Sequence, residues 1–268
     1  MSEGSAPTAR RTALVTGASS GFGAEFCRRF AKDGFDVAMV ARRGVVMEEL
    51  AQELEERHSI TTYVLPKDLA HPSASREIAE NLAGRGVHID ALVNSAGFAL
   101  FGPFADEDEQ ELNDIVMVNI LAMTELSRLF ASGMVERGWG RIVNLSSVAA
   151  FVPGPLMAAY YASKSYVLSL SIAMSVELEG TGVTVTALCP GPVRTGFQAR
   201  ARMEDSRLAT GKMPSVMEVA DFGYDAMNRG KPFAVQGARN KFFVFGSRLI
   251  PRPLAARIAR KAQERLPR

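Results

Sequence analysis

The most constraining feature of this chain is a short apolar segment that leads into a glycine-spaced turn and then into a helical pattern. Residues 12–16 favour a strand, and Phe recurs at helical spacing in the segment after the turn. The turn contains three glycines, Gly17, Gly21 and Gly23. Glycine lets the backbone approach a pyrophosphate closely, and a helix N-terminus offers free N–H groups and a positive dipole end. The pattern predicts a nucleotide site. A turn without a ligand is the alternative, because the spacing G-x-x-x-G-x-G differs from the usual dinucleotide fingerprint.

Strand and helix patterns alternate along the rest of the chain. The predicted strands cover residues 13–16, 37–41, 61–65, 91–94, 141–145, 183–188 and 233–236. The predicted helices cover residues 21–32, 46–57, 73–83, 109–137, 157–179 and 216–228. Continuous apolar strands suit a parallel sheet that is buried on both faces. With right-handed crossovers, these units predict a single-domain α/β protein, a doubly wound Rossmann fold whose mostly parallel seven-stranded sheet is flanked by helices.

Composition limits the class of protein. A length of 268 residues with 47% apolar residues is enough for one domain with a large core. No run of about 20 apolar residues is present, so we predict no membrane-spanning helix. Residues 1–11 lack an apolar segment and are predicted to be a disordered arm, not a secretory signal. Cys27 and Cys189 have no metal-ligand spacing and need no disulfide, so we predict a cytoplasmic protein without a metal.

Basic charge is concentrated at the C-terminus. From Arg239 onward nine Lys and Arg residues accompany one acidic residue, a charge of +8, whereas the rest of the chain carries −6. Apolar residues recur at every fourth position of this tail, at Leu254, Ile258, Ala262 and Leu266. We predict a basic amphipathic extension, residues 238–268, that packs on its own domain or on a neighbouring subunit, with an anionic membrane surface as the alternative. No base-reading module accompanies the charge, so we predict no nucleic-acid partner.

Tyr160 and Lys164 lie four residues apart in a predicted helix, on one face and about one turn from each other. An ammonium beside a phenol favours the phenolate and lowers the phenol pKa from its usual value near ~10. Such a Tyr can give a proton to an alcohol oxygen, or take one from it, near neutral pH. The spacing alone also fits an ordinary surface pair, and Tyr161 is likewise about one turn from Lys164.

Six short motifs follow one another along residues 12–237. They are T-G-x-x-x-G-x-G at 16–23, N-S-A-G at 94–97, Asn119, N-L-S-S at 144–147, Y-x-x-x-K at 160–164 and C-P-G at 189–191. In this order they resemble the motifs of the short-chain dehydrogenases/reductases, with Ser95 in place of the second Asn of that family's N-N-A-G motif. Segments 101–104 and 153–155 and the basic C-terminus also resemble a bacterial ketoreductase subgroup called DltE-like.

The resemblance implies catalytic roles for four residues. Tyr160 would be the acid/base, and Lys164 would bind the nicotinamide ribose and acidify Tyr160. Ser147 would hydrogen-bond the substrate oxygen, and it is preferred to Ser146 because it lies thirteen positions before Tyr160, as in the family. Asn119 would hold a water that passes protons to Lys164, although a mid-helix Asn can also simply bond the backbone.

Charge at the end of the second strand predicts the cofactor. NAD enzymes of this fold usually have an acid there that binds the ribose hydroxyls. Here the strand ends in Arg42 and Arg43, whose guanidiniums can bind a 2′-phosphate, so we predict NADPH or NADP+, with two solvated loop charges as the alternative. The expected cofactor-binding residues are Gly17, Ser19, Ser20, Gly21, Phe22, Gly23, Arg42, Arg43, Asp68, Leu69, Asn94, Ala96, Gly97, Tyr160, Lys164, Pro190, Gly191, Val193 and Thr195.

These residues predict an NADPH-dependent oxidoreductase that reduces a ketone or aldehyde to an alcohol, reversibly. A non-enzymatic NADP(H)-binding regulator and an epimerase or dehydratase on the same scaffold are the alternatives. Residues 192–214 are predicted to form a substrate lid, Tyr161 is expected to pack or to line the pocket, and the resemblance implies a homodimer or homotetramer. Apolar residues on the loops near the site suggest a hydrophobic or 3-oxoacyl-like substrate. They are Phe98, Leu100, Phe101, Phe104, Phe151, Val152, Met157 and Phe197. The alternative is that half of them are core or subunit contacts.

Overall fold

The computed structural model describes residues 10–194, 196–201, 203 and 213–264. Most of the predicted N-terminal arm therefore lies outside the described residues. Its last two residues, Arg10 and Arg11, are described and make contacts with the domain. Arg10 Nη1 donates a hydrogen bond to Ser59 O at 2.7 Å, and the Arg11 guanidinium lies 3.8 Å from the centre of the Trp139 ring. The prediction that these two arginines belong to a disordered arm is wrong, because a carbonyl acceptor and an indole face lie within their reach.

Seven strands form one sheet, and each of the described strand pairings is parallel. The strands are β1 (Thr12–Thr16), β2 (Asp36–Ala41), β3 (Thr62–Pro66), β4 (Ala91–Asn94), β5 (Gly140–Leu145), β6 (Val183–Cys189) and β7 (Phe233–Val235). Their order across the sheet is β3-β2-β1-β4-β5-β6-β7. Every residue of β1 and β4 is buried, because helices cover both faces of the sheet. The predicted doubly wound fold is confirmed.

The helices cover the two faces of the sheet in separate layers. They are α1 (Gly21–Lys32), α2 (Gly44–His58), α3 (Ala74–Gly84), α4 (Glu109–Val116), α5 (Met123–Glu136), α6 (Ala158–Glu177), α7 (Phe197–Arg200), α8 (Val216–Asn228), α9 (Ala238–Ser247) and α10 (Arg252–Gln263). One layer, with α1, α2 and α8, packs around Phe26, Phe30 and Tyr224. The other, with α3, α5 and α6, packs around Ile78 and Leu126. Each helix thereby buries the apolar side that its sequence provides.

The turn between β1 and α1 requires its glycines. Gly17 has a φ of 69° and Gly21 a φ of 55°, a region that strains side chains built on L-residues. A Cβ on Gly23 would lie 2.3 Å from the carbonyl oxygen of Gly17, so no side chain fits there. The strand order reverses between β1 and β4, and ligands of open α/β sheets bind at this point, outside the carboxyl ends of the strands.

The helical run between β4 and β5 differs from the single helix predicted for residues 109–137. A π-helical stretch, Met117–Ala122, separates α4 from α5 and contains Asn119. By length and composition the whole run, Glu109–Glu136, could cross a membrane, contrary to our expectation that no such helix is present. In this fold the run packs against α3 and α6, and Leu126 and Met134 are buried in the core. It is thus part of one helical layer of the domain.

The last two helices fold back onto the domain. Val244 of α9 and Ala255 of α10 are buried. Asn240 packs against Gly191 so closely that a Cβ on this glycine would lie 2.5 Å from Asn240 Nδ2. The extension predicted for residues 238–268 therefore contacts its own domain through one side of each helix, and Leu266 lies outside the described residues.

Candidate active site

A cavity of about 1340 Å³ opens at the carboxyl ends of the central strands. Most residues predicted for the site line it: Gly17, Ser19, Ser20, Gly21, Phe22, Arg42, Arg43, Asp68, Leu69, Ala96, Gly97, Ser147, Tyr160, Lys164, Pro190, Gly191 and Val193. The fold therefore brings the predicted catalytic and cofactor positions together. Thr195 lies outside the described residues. Within the residues that are described, no group of three or more His, Cys, Asp or Glu side chains could hold a metal ion.

Ser147 follows the end of β5 and lies beside Tyr160. Its Oγ accepts a hydrogen bond from the Ala149 backbone N–H at 3.1 Å and donates one to Pro190 O at 3.5 Å, and the hydroxyl lies near enough to the Tyr160 phenol to lower the pKa of that phenol. The neighbouring Ser146 is buried and donates its hydroxyl hydrogen bond to the carbonyl oxygen of Lys164 at 2.9 Å. The two serines therefore have different positions, since one contacts the phenol and the other holds α6 against β5.

The Tyr160 phenol has a raised pKa and not the lowered pKa that the sequence predicted. Burial raises the pKa to about 12, and the nearby Ser147 hydroxyl offsets part of that rise. Lys164 Nζ lies 5.6 Å from the centre of the Tyr160 ring and donates to Leu145 O at 2.7 Å. Burial also lowers the pKa of Lys164 to about 8. The prediction of a lowered pKa was wrong because the loss of water around the Tyr160 phenol raises its pKa more than the positive charge of Lys164 lowers it. Burial also disfavours the charged form of Lys164.

Tyr161 lies in the cavity wall next to Tyr160, with 6.0 Å between the ring centres. Gly154 packs flat against its ring, and a Cβ on that glycine would lie 2.2 Å from a ring carbon. Burial raises the pKa of the Tyr161 phenol, and the adjacent Tyr160 adds to the rise. These contacts make Tyr161 a packing aromatic of the wall.

Three of the predicted site residues, Gly23, Asn94 and Asn119, do not line the cavity. Gly23 lets α1 pack closely on the turn, because a Cβ at this position would lie 2.3 Å from Gly17 O. Asn94 Nδ2 donates to Asn144 Oδ1 at 2.8 Å and to Ser127 Oγ at 3.0 Å. Because this buried amide joins β4 to β5 and α5, Asn94 supports the sheet edge from behind. Contact of Gly23 and Asn94 with the cofactor stays a prediction.

Asn119 lies one layer behind the cavity wall. Its Nδ2 donates to Phe98 O at 3.0 Å and to Ser163 Oγ at 3.1 Å, and its Oδ1 accepts from the Phe98 N–H at 3.1 Å. A Cβ on Gly97 would lie 3.0 Å from Asn119 Oδ1 and 3.4 Å from Lys164 Nζ. The side chains of Asn119 and Lys164 thus approach the same glycine, and the proton relay through a water stays a prediction.

The two arginines predicted to select the cofactor lie at the rim of the cavity. Arg43 Nη2 donates to Ser19 Oγ and to Ser19 O, each at 3.1 Å. Arg42 Nη1 lies 3.9 Å from Asp68 Oδ2, and both of these side chains are more than half exposed. Arg43 is therefore fixed against the glycine turn, whereas Arg42 remains free to turn toward a ligand.

Thr16 anchors the loop that follows β4, a role that we did not predict. Its Oγ1 accepts hydrogen bonds from the backbone N–H groups of Ser95 at 3.0 Å and Ala96 at 3.1 Å. A Cβ on Gly17 would lie 3.0 Å from Ala96 N, so the loops after β1 and β4 meet closely at these residues. The available signal was a hydroxyl residue at the last position of β1, directly before the glycine turn.

The apolar end of the cavity uses half of the loop residues predicted for it. Phe98, Val152, Met157 and Phe197 line the cavity, and the rings of Phe197 and Tyr160 lie 5.2 Å apart. The other four, Leu100, Phe101, Phe104 and Phe151, do not line the cavity, which agrees with the alternative that half of the eight are core or subunit contacts. Leu100 is buried, Phe101 packs in the same cluster as Met157, Tyr160 and Phe197, Phe151 packs into a separate core, and Phe104 is exposed.

Part of the cavity wall comes from α9 and α10, which we did not assign to the site. Gln263, the last residue of α10, lines the cavity and is only 1% exposed. It lies near enough to the Tyr161 hydroxyl to lower the pKa of that phenol. Neither Nε2 nor Oε1 of Gln263, however, makes a hydrogen bond of regular geometry within the described residues. The available signal was the four-residue apolar repeat of α10, which marks a helix with one side to bury.

The described part of the predicted lid, residues 192–214, contributes to the same wall. Residues 195, 202 and 204–212 lie outside the described part of the chain. Gln198 Nε2 donates to Val193 O at 2.7 Å, which closes the segment into the single turn of α7 and brings Phe197 against Tyr160. Its closure over a substrate stays a prediction.

Comparison with known proteins identifies a family model and relatives that match most of this chain. Residues 11–206 match the family model described as short chain dehydrogenase. The ketoacyl reductase HetN of Nostoc sp. is 34% identical over 200 residues, 74% of this chain and 69% of that protein. A very-long-chain 3-oxoacyl-CoA reductase of Laccaria bicolor is 34% identical over 180 residues, 66% of this chain. The chain spans 53% of the length of that reductase, and between 51% and 62% of several other relatives.

Among solved structures, the short-chain dehydrogenase of Sphingobium yanoikuyae in complex with NADPH superposes with a TM-score of 0.80 at 31% identity, covering 89% of this chain and 94% of that one. The DltE-like subgroup stays a prediction. Since the family model extends from β1 to beyond the Tyr160 helix and covers most of the sequence, this chain belongs to the short-chain dehydrogenase/reductase family.

Proposed function

We propose that this chain is an NADPH-dependent oxidoreductase that reduces a ketone or aldehyde to an alcohol and can run the reverse oxidation. The observation that carries the proposal is the meeting of the Ser147 and Tyr160 hydroxyls in one cavity wall, with the Lys164 ammonium behind them. Two hydroxyls side by side can hold one carbonyl oxygen, and one of them can donate a proton to it. A regulator that only binds the cofactor would need neither hydroxyl in this position.

The other end of the cavity fits NADPH. The glycine turn leaves the backbone of α1 open at its N-terminus, where free N–H groups suit a pyrophosphate. Arg42 and Arg43 offer positive charge to a 2′-phosphate, and β2 ends at Ala41 without a carboxylate that would repel it. The Sphingobium relative, which was solved in complex with NADPH, supports the same choice here. NADPH, when bound, would supply the hydride.

Tyr160 is suited to donate the proton. Because burial raises the pKa of Tyr160 to about 12, its phenol is neutral at neutral pH and carries the proton that a reduction consumes. Ser147 would hold the carbonyl oxygen next to this phenol. As the proton leaves, negative charge forms on Tyr160 near the Lys164 ammonium, which Leu145 O holds in place. We assign Tyr160 as the general acid, Ser147 as the group that orients the carbonyl and Lys164 as the charge that stabilises the phenolate.

The proposed substrate is a hydrophobic carbonyl compound such as a 3-oxoacyl thioester. Val152, Met157 and Phe197 give the cavity an apolar wall beside Tyr160, and Phe243 and Ile250 extend it on the side of α9. Apolar walls with a few polar groups are typical of sites for hydrophobic ligands. The relatives from Nostoc and Laccaria, which are described as ketoacyl and 3-oxoacyl-CoA reductases, support this substrate class.

Self-association is proposed through the outer sides of α4, α5 and α6. Exposed apolar residues there are Val116, Leu121, Leu129, Tyr166 and Val176. Apart from the buried Lys164, α6 has a single charged residue, Glu177. The outer side of α6, which is apolar and carries little charge, suits contact with a second copy of the same chain. We therefore propose a homodimer or homotetramer.

We also propose that the protein is cytoplasmic. Its two cysteines, Cys27 and Cys189, are buried and free, which accords with a reducing compartment.

A panel of carbonyl compounds with graded chain length tests the proposed activity. NADPH or NADH oxidation is followed by absorbance with the wild type and with Tyr160→Phe. We expect turnover with NADPH and long-chain carbonyls that is lost in the variant. NADPH binding without turnover of any compound would favour the regulator. A rearranged or dehydrated product without net NADPH oxidation would favour the epimerase or dehydratase.

A further inference from the structure

A second exposed apolar surface lies on the outer side of α9, α10 and the turn between them, and we call it the C-terminal face. Its apolar side chains are Phe242 (76% exposed), Phe245 (64%), Leu249 (75%), Leu254 (49%) and Ile258 (52%). On α9, Phe242 and Phe245 lie only about 60° apart around the helix axis. These two rings thus share one outward side of α9, and the exposure of all five side chains shows that no described segment covers the C-terminal face.

Basic side chains border this apolar surface. Lys241 lies within about 60° of Phe245 around α9, and Arg257 and Lys261 lie within about 60° of Leu254 around α10. All three basic residues are exposed. Residues 238–264 contain seven Lys and Arg residues and one acidic residue. A helix that combines exposed aromatic and aliphatic side chains with flanking cations has the composition of a segment that lies in a lipid interface.

The C-terminal face adjoins the mouth of the active-site cavity. Phe243 and Ile250 line the cavity from the α9 side, and Ala255 and Ala259 line it from α10. Ile258 belongs to both surfaces, because it lines the cavity and is half exposed. The apolar surface therefore continues from the outside of the protein into the cavity that contains Tyr160.

We propose that the C-terminal face docks on an anionic phospholipid surface, with the mouth of the cavity toward the lipid. A second copy of the chain is the competing occupant of this face. A two-fold contact would, however, bring the basic residues of one copy next to the same basic residues of the other, and like charges repel each other. The outer side of α6, where Glu177 is the single charged residue apart from the buried Lys164, has no such border and suits self-association better. Anionic headgroups complement the cations, and the interface accepts the exposed aromatic rings. Docking itself is independent of the proposed function; only the delivery of a lipid-borne carbonyl to Tyr160 rests on it.

Vesicle sedimentation at low ionic strength tests the docking. Full-length protein is mixed with vesicles of phosphatidylcholine alone or of phosphatidylcholine with phosphatidylglycerol. We expect pelleting with the anionic vesicles only, and release at high salt, since salt screens the attraction. Arg257→Ser with Lys261→Ser should lower the partition coefficient about 25-fold, because each surface cation contributes about fivefold. Phe242→Ser with Leu249→Ser should lower it at least about tenfold, through lost apolar burial.

Val45→Ser and Arg85→Ser are the matched controls. Both residues are exposed, neither lines the cavity, and both lie outside the C-terminal face. These variants should pellet like the wild type, and thermal unfolding checks that every variant is folded. The proposal is overturned if folded wild type stays in the supernatant with the anionic vesicles. It is also overturned if both double variants pellet as much as the wild type does. If the wild type forms an oligomer and does not bind vesicles, and the double variant Phe242→Ser with Leu249→Ser dissociates, the C-terminal face is a contact with a second copy of the chain. Turnover of a water-soluble ketone without vesicles reports on the proposed function separately, so its failure leaves the docking result standing.

Discussion

The Lys164 ammonium donates a hydrogen bond to the Leu145 carbonyl oxygen at 2.7 Å and so ties the first turns of α6 to the end of β5. The Ser146 hydroxyl donates to the Lys164 carbonyl oxygen at 2.9 Å in the opposite direction. These two bonds set the distance between β5, which leads into Ser147, and the helix that carries Tyr160. The arrangement of the two hydroxyls therefore depends on how the helix docks on the sheet as well as on the four-residue spacing of Tyr160 and Lys164.

Removing the Tyr160 hydroxyl should separate chemistry from binding. We expect Tyr160→Phe to lower turnover by about 10²–10⁴-fold, because general acid catalysis contributes that much, and to leave NADPH affinity nearly unchanged. Tyr161→Phe is the matched control, since this tyrosine packs on Gly154 in the same wall. Steady-state kinetics and fluorescence titration of NADPH measure the two effects. The assignment fails if Tyr161→Phe has the larger effect on turnover.

Turnover in the direction of reduction should be constant through neutral pH and should fall as pH rises through about 8. The reason is that burial lowers the pKa of Lys164 to about 8, so its positive charge is present below that pH and lost above it. Tyr160, with a pKa of about 12, keeps its proton throughout. In Lys164→Arg the guanidinium stays charged, so the alkaline fall should disappear even though turnover is lower. The same alkaline fall in both proteins would count against Lys164 as its origin.

The pair of arginines at the cavity rim should decide the choice of cofactor. Arg42→Ala with Arg43→Ala should weaken NADPH binding at least about tenfold, since charge-assisted hydrogen bonds contribute roughly 1.5–3 kcal/mol each before solvent screening. NADH binding should change little, because NADH lacks the 2′-phosphate. Arg85→Ala, on an exposed residue that does not line the cavity, is the control. Isothermal titration with both cofactors measures the ratio. A wild type that binds NADH as tightly as NADPH would refute the assignment.

A methyl group at Gly154 should displace Tyr161. Its Cβ would lie 2.2 Å from the ring, so the ring must move, and overpacking of this kind costs about 1–3 kcal/mol. We expect Gly154→Ala to lower the melting temperature and to raise KM for the carbonyl substrate more than it lowers kcat. Gly84→Ala has nothing within 4 Å of its Cβ and should leave both quantities nearly unchanged. Equal melting temperatures for Gly154→Ala and wild type would argue against the close contact.

Gln263 should be more useful for substrate binding than for stability. Its two side-chain polar atoms are buried without hydrogen bonds of regular geometry within the described residues. Gln263→Leu should therefore leave the free energy of unfolding unchanged or raise it by up to about 1–3 kcal/mol, while raising KM for carbonyl substrates that carry a second polar group. Denaturant unfolding and KM measurements test this. A clear loss of stability would mean that the amide is satisfied in the folded protein.

Local sequence patterns were sufficient for the framework of the fold. The helices α1 and α8 begin and end at the predicted residues, Gly21 and Lys32, and Val216 and Asn228. The strands were predicted to within a residue or two, because most contain a short apolar run, and in β1 and β4 the parallel sheet buries every residue. The π-helical turn around Asn119 was not predicted, since a change in backbone hydrogen bonding leaves the apolar periodicity of the surrounding helix almost intact.

The positions of individual side chains at the site were less predictable. Phe151 and Phe197 are both aromatic residues on loops near the site, yet Phe151 packs into a separate core and Phe197 lies against Tyr160. Asn94 and Gly97 belong to one motif, but Asn94 supports the sheet from behind while Gly97 borders the cavity. Neighbours in sequence point to different sides of a loop, and a motif does not specify which side faces the ligand.

The sequence by itself determined the alternation of strands and helices, the order of the six motifs and hence the family, and the identity of the groups available for chemistry. Only the tertiary structure decided the raised pKa of Tyr160, the lowered pKa of Lys164, the use of α9 and α10 as cavity wall and the buried amide of Gln263. The physical reason is that periodicity and motif spacing are properties of neighbouring residues, which any sequence displays directly. Desolvation and the shape of a cavity are sums over side chains far apart in the chain, and they exist only after those side chains have packed together.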